Sequence, residues 1–328
     1  MILTDAVDWR PCATLTRLRA RAAMLERLRA FFAMVGVLEV ETPILSQSAV
    51  TDPALASLVV GRSVPAGHGA SLYLQTSPEF PMKRLLAAGS GAIYQICKVF
   101  RDDERGRLHH PEFTLLEWYR PGWDNHQLMD EVAELVRVAL QHPALPVEWV
   151  SYRELFRAGL GLDPWTATPD DLRTAALAAG IADAATFELE VDAWLDLLMT
   201  HCLESGLGRH GMTFVYDYPP SQAALARLRL DSVLVAERFE LYLNGIELAN
   251  GFHELTDATE QRARFQSDLA IRQARGQPQP PLDEHFLAAL TAGMPDCSGV
   301  ALGFDRLLMI AAGVDYIDAV LAFPVERA

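Results

Sequence analysis

Apolar residues recur at Leu18, Ala22, Leu25, Leu28, Phe32 and Val35, in steps of three and four that align them on one helical face. This helix runs from Thr14 to Gly36, and a short strand, Val37 to Val40, leads on to Pro43. Ser77-Pro78-Glu79 offers an N-cap hydroxyl, a proline suited to the first helical position and an early acid, which predicts a short helix ending near Gly89. Ile93 to Val99 reads as a strand, Arg101 to His110 as a polar loop, and Phe113 to Tyr119 as a returning strand. The stretch from about Asn125 to Gly211 is mostly helical by pattern, with breaks at Pro143, Pro146, Pro164 and Pro169. Phe239 to Leu243 and Ile246 to Asn250 flank Asn244-Gly245, a hairpin signal because this pair accepts the positive φ values of a type I′ turn. An Arg-rich helix from about Asp257 to Arg275 follows, then a glycine-bearing strand from Cys297 through Gly303 into a last helix near Asp305.

Half of the 328 residues are hydrophobic, enough for a large core, and the pattern is taken as one α/β domain over residues 1–328 with a mostly helical insertion at about 125–211. Against 43 acidic residues stand 28 Lys and Arg, a net charge of −15 that disfavours phosphate backbones, so no stable tRNA binding is expected. Cys12, Cys97, Cys202 and Cys297 form no C-x-x-C pair and indicate neither zinc nor disulfides. Asp5 and Asp8 stand where a basic leader would be, and no apolar run reaches the roughly 18 residues of a span, so a cytoplasmic protein without membrane contact is expected.

Several constellations carry chemistry. A two-residue turn pairs Tyr242 with Glu247 and sets Glu240 diagonal to it on the same face, roughly 7–8 Å apart at the backbone. Two such carboxylates suit a hard divalent cation that also holds phosphates, and equally suit a solvated sheet face. The loop with Arg101, Asp102, Asp103, Glu104, Arg105, Arg107, His109 and His110 offers guanidinium forks for phosphates, or is a solvated hairpin tip. Phe113, Leu115, Glu117 and Tyr119 share a face that a pure core would not furnish with Glu117. Gly299, Gly303 and Arg306 would let a nucleotide approach the backbone, although helix packing also asks for small residues. Glu254 lies seven residues beyond Glu247, on the opposite face of a regular strand unless Gly251 bends the chain; buried there, it would want a cation such as a substrate ammonium.

Taken in order, these segments resemble the three signature motifs of class II aminoacyl-tRNA synthetases, in the lysyl-specific branch. Motif 1 is the first helix and strand ending at Pro43, motif 2 runs from Phe100-Arg101 to Tyr119, and motif 3 is Gly303-Phe304-Asp305-Arg306. Thr76-Ser77-Pro78-Glu79 and Glu247-Leu248-Ala249-Asn250-Gly251-Phe252-His253-Glu254-Leu255 make the match specific. The resemblance implies an α/β (α+β) catalytic domain, an antiparallel sheet flanked by helices, and a homodimer through motif 1. It implies an ATP-dependent ligase that uses magnesium and forms an acyl-adenylate. By position, Arg101 would bind the α-phosphate and Arg306 the γ-phosphate, Phe113 would stack on adenine, and Asp102, Asp103, His109, His110, Leu248 and Gly303 would complete the ATP site. Glu240 and Glu247 would hold the metal, and Glu79, beside Ser77 and Pro78, would meet the substrate amino group. Asn250 would meet its carboxylate, and Glu254 with Tyr119 the side-chain ammonium.

The first motif begins near residue 14, where lysyl-tRNA synthetases carry an anticodon-binding OB domain, so none is expected here. Ser77, and Ala301 where the synthetases usually have glycine, are similar to a bacterial paralogue branch that attaches (R)-β-lysine to a lysine of elongation factor P. Asp103 and His110 depart from the usual glutamate and asparagine of the branch. The rivals are a compact lysyl-tRNA synthetase, an amino-acid amide synthetase and a non-catalytic lysine-binding paralogue.

Overall fold

The computed structural model describes residues 9–61, 71–102 and 104–328, so Asp5, Asp8 and Asp103 lie outside the described residues. The chain runs α1 (Leu15–Met34), β1 (Leu38–Glu39), β2 (Leu45–Ser46), β3 (Val59–Val60), β4 (Leu72–Leu74), α2 (Glu79–Ala87), β5 (Ile93–Phe100) and β6 (Glu112–Pro121). It continues with α3 (Asn125–Leu140), β7 (Val147–Ser151), α4 (Tyr152–Leu160), α5 (Pro169–Ala178), α6 (Val191–Leu198) and β8 (Met212–Tyr218). The last part holds β9 (Leu228–Leu230), β10 (Leu234–Leu243), β11 (Ile246–His253), α7 (Ala258–Ala274), α8 (Glu284–Gly293), β12 (Cys297–Gly303) and α9 (Phe304–Ala312).

One large sheet dominates, in the order β1-β5-β6-β12-β11-β10-β8-β7, with β9 on β10. The central pairings are antiparallel, as expected; β1 with β5 and β7 with β8 are parallel at the edges. β7 is a strand inside a stretch that reads as helical. Pro143 and Pro146 leave only a short run before the Ser151 cap of α4, too short to close a useful helix but able to pair with β8.

Two-residue periodicity gives the sheet two faces. Leu116, Trp118, Phe239, Leu241, Val300 and Leu302 point to a core shared with α1, α3 and α9. The stripe on α1 serves this core: Phe32 stacks on Tyr94 at 4.2 Å between ring centroids. The other face is covered at one end by α2, α7 and α8, whose Met82, Leu86, Phe265 and Phe286 pack with Ile93 and Tyr119. Residues 152–207 build a separate cluster around Trp194, Phe156 and Tyr242 near its other end.

Candidate active site

The β10–β11 hairpin sets the frame. Asn244 and Gly245 take φ 56° and 72°, and Leu243 faces Ile246 and Tyr242 faces Glu247, as the turn dictates. The register then slips, so that Leu241 faces Ala249 and Glu240 faces Asn250. Leu248 is the extra residue of this bulge, and it and Ala249 are both buried in the core, which a regular strand would not allow for two neighbours. Beyond the bulge every side chain changes face, so Asn250 joins Glu240 and Glu247, and Glu254 follows. The re-aiming expected at Gly251 therefore happens three residues earlier. Gly251 stays in register opposite Phe239, where an added Cβ would lie 2.3 Å from the ring. Leu248, expected near ATP, turns its side chain into the core, so only its backbone faces the groove.

Arg238, unnoticed in the sequence, orders this face. Its guanidinium donates to Glu240 at 2.5 Å and to the Asn250 side-chain oxygen at 3.3 Å, leaving the Asn250 amide N–H groups free to donate to a carboxylate. Glu240 also accepts from the Tyr242 hydroxyl.

At the end covered by α2 and α8 the face becomes an acidic cluster in which Glu117, Glu254 and Lys83 are buried and Glu79 is partly exposed. Gly299 forms its floor: a Cβ there would sit 2.3 Å from the Tyr119 ring and 2.4 Å from Glu254 Oε1, so only glycine lets these two approach. The Tyr119 hydroxyl donates to Glu117 Oε1 at 2.7 Å, and Ala301 lies in register between Glu117 and Asn250. Lys83 is wholly buried, with Nζ 2.5 Å from Glu79 Oε1 and 2.6 Å from Glu254 Oε2. Burial, with the repulsion of Glu79, pushes the Glu117 carboxyl up to about 8. Burial likewise lifts Glu254 to about 8 against the pull of Lys83. Burial alone would lower Lys83, but Glu254 and Glu79 hold its ammonium above the usual lysine range. Ser77 does not cap α2 from the position expected: the cap is Pro78, and the Ser77 hydroxyl accepts from the Glu79 N–H at 3.0 Å.

The other end of the groove is more open. Arg101 ends β5 with its guanidinium 5.0 Å from the Phe113 ring centroid, 3.4 Å from Glu104, and its Nε buried without a hydrogen bond among the described residues. Arg306, in the first turn of α9 above Gly303, donates to Glu247 O at 2.8 Å and approaches Glu247 Oε2 at 3.3 Å. Its Nη2 lies 2.8 Å from His109 Nε2, and burial together with the Arg306 charge keeps His109 neutral by lowering its pKa. Asp102 donates its backbone N–H to Ala56 at the loop's start. His110 is buried with both ring nitrogens engaged, Nδ1 by the Glu112 backbone and Nε2 by the Val325 N–H. The expected ring N–H for adenine therefore has a structural partner instead. Arg105, one of the loop's guanidinium forks read as suited to phosphates, is held by Asp318 and Glu326.

Magnesium fits the donor set by chemistry. Glu240 and Glu247 are hard oxygen donors on one face, and among the described residues no third His, Cys, Asp or Glu completes a cage. A cation there would keep sites for phosphate oxygens and water, which is magnesium's habit. Glu204, also missed, stands close enough that burial and the repulsion of Glu247 and Glu240 raise its carboxyl pKa. Lys83 had one signal in the sequence: it lies four residues after Glu79, on the helical face that buries Met82 and Leu86.

By sequence, the family of class II tRNA synthetases (D, K and N) matches residues 4–327. The elongation factor P–(R)-β-lysine ligase of Salmonella arizonae is 50% identical over 328 residues, covering 99% of this chain and 100% of that protein. The proteins of the same name from Salmonella dublin and Salmonella paratyphi B are each 49% identical over the same shares. With the sheet, the bulged hairpin and the arginine-lined groove in place, the chain belongs to the class II tRNA synthetases of the D, K and N group.

Proposed function

We propose that this protein uses ATP and magnesium to activate (R)-β-lysine as an acyl-adenylate and passes the acyl group to a lysine side chain of elongation factor P. The observation that carries this reading is the pairing, on one sheet face, of the arginines of the open end with an acidic cluster in which Glu117 and Glu254 are buried and Glu79 is partly exposed. Such a groove suits two ammonium groups at one end and polyphosphate at the other. The similarity to ligases of that name over nearly the full chain supports the acceptor.

Asn250, oriented by Arg238, holds the substrate carboxylate, and Glu254 and Glu79 hold its ammonium groups. That carboxylate attacks the α-phosphorus of ATP in line and pyrophosphate leaves, giving the acyl-adenylate, while Arg101 stabilises the charge spreading over the phosphoryl oxygens and Arg306 steadies the outer phosphates. Magnesium between Glu240 and Glu247 would neutralise phosphate charge. The ε-amine of the acceptor lysine then attacks the acyl carbonyl and AMP leaves. Motif 1 supports a homodimer: Leu15, Met34, Leu38 and Leu45 are exposed along α1, β1 and β2, and sedimentation would give the mass of two chains.

The test is ATP–pyrophosphate exchange with (R)-β-lysine against L-lysine, followed by transfer to elongation factor P and to lysine tRNA. Exchange preferring β-lysine with label only on the protein is expected. Label on tRNA makes the chain a synthetase, and no exchange with either amino acid makes it a binding module.

A further inference from the structure

The acidic pocket contains a cation of its own that the reaction does not use. Lys83 has no exposed side-chain surface, bridges Glu79 and Glu254, and lies 5.8 Å from the Phe286 ring centroid. An ammonium is kept so dry only where its charge is needed. When all are ionised, Glu79, Glu117 and Glu254 contribute three negative charges and Lys83 one positive, a net of minus two. A substrate with two ammonium groups brings this to zero. With one ammonium it leaves an uncompensated charge in a site closed by Tyr119, Phe265 and Phe286.

We propose that Lys83 is a positioning residue and fixed counter-ion that leaves the pocket two charges short of neutrality, so that it selects diammonium substrates and releases its own bound protons as they enter. The inference rests on the function proposed above for the ligand's identity and adds how the site selects it.

The surroundings restrict which groups titrate. Glu79 and Lys83 face the pocket from α2, Glu117 and Tyr119 from β6, and Glu254 from the end of β11. Burial raises the Tyr119 phenol and the thiols of Cys97 beside Glu117 and Cys297 beside Glu254, so all three stay neutral. Ser77, Gln75 and Gln95 are neutral, and α7 and α8 contribute the phenyl rings of Phe265 and Phe286. In the empty pocket the excess charge is therefore held as protons, first on Glu117, whose Oε2 is buried without a hydrogen bond among the described residues and whose carboxyl is pushed up to about 8, and then across the Lys83–Glu254 pair, where burial also raises Glu254. Incoming ammonium groups lower both pKa values, and the protons pass to solvent. Binding accordingly strengthens as pH rises from 6 toward 8.

Calorimetric titration of the wild-type protein with (R)-β-lysine at pH 7, in buffers of different ionisation enthalpy, reads the proton count directly. Release of between about one and two protons per ligand is expected, fading by about pH 9. An analogue lacking the second ammonium, 3-aminohexanoate, should bind at least about 100-fold more weakly. In Lys83→Met the carboxyls hold their protons to higher pH, so the rise of KM on acidification should begin about one unit higher. A wild type that binds the diamine without proton release, or a folded Lys83→Met with an unchanged pH profile, overturns the proposal. If Lys83→Met does not fold, the wild-type count still decides. Pyrophosphate exchange without proton release rejects only the charge argument; proton-releasing binding without exchange rejects only the ligase reading.

Discussion

The acidic end and the arginine-bearing end of this groove, proposed to take the amino acid and the nucleotide, share one sheet face but differ in how their charges are held. Lys83 and Glu254 have 0% and 1% of their side-chain surface exposed and are paired with each other. Arg101, Arg306 and Glu247 keep 27%, 19% and 39%, and their partners are a loop acid, a backbone carbonyl, a neutral histidine and one another. The closed end already has its Lys83–Glu254 pair in place before anything binds, so its geometry is expected to set selectivity. On the proposed function, the arginine contacts at the open end must be exchanged for phosphates when ATP arrives, so that end is expected to set rate. Changes at the open end should therefore lower kcat, and changes at the closed end should raise KM for the amino acid.

The largest effect is expected for Arg306→Ala, which removes charge stabilisation from the outer phosphates and should reduce pyrophosphate exchange by about 10³-fold with KM for (R)-β-lysine nearly unchanged. A loss under about tenfold, in protein shown by circular dichroism to be folded, would remove Arg306 from the phosphate site. Next is Glu254→Gln at the closed end. It deletes one of the two acids on Lys83 and should raise KM for the amino acid by about 100-fold while kcat at saturation changes far less. A kcat loss as large as the KM rise would mean that the two ends are not separable. Gly299→Ala tests the same end through shape alone, because its Cβ would strike the Tyr119 ring and Glu254 Oε1 together. It should cost about 1–3 kcal/mol of stability, read from denaturant melts, and raise KM about tenfold.

The same division marks what was legible in the sequence. Hydrophobic steps, Asn244-Gly245 and the residues of the three motifs are local signals, and they give α1, the β10–β11 turn, β5, β6, β12 and α9 close to where they lie. The positions of Arg101, Phe113, Glu240, Glu247 and Arg306 on the groove follow from strand faces and near neighbours. Features that depend on burial were hidden. The bulge at Leu248 exists because Leu248 and Ala249 both enter the core, and a two-residue alternation cannot announce that. Lys83 looks like half of an exposed i,i+4 pair with Glu79 until Glu254 and the Phe286 ring, both far along the chain, close over it. His110 resembles a nucleotide ligand until Val325 comes back to occupy its ring.

The smallest change separates two lysines that differ only in where the amino group sits. Ala301 lies in register between Glu117 and Asn250, so its methyl stands between the buried acid of the cluster and the side chain proposed to meet the carboxylate. In (R)-β-lysine the amino group is one carbon further from the carboxylate than in L-lysine, and a methyl at that point penalises the ligand whose two groups are closer together. Removing one methyl from a pocket shifts discrimination by about 1–3 kcal/mol, so Ala301→Gly should lower the preference for (R)-β-lysine over L-lysine by about tenfold or somewhat more. The change should appear in the ratio of kcat/KM values for exchange and leave thermal stability within about 1 kcal/mol, the cost of an added strand glycine. An unchanged ratio would move the choice between the two lysines away from Ala301 to Ser77 and Glu79, on the opposite wall.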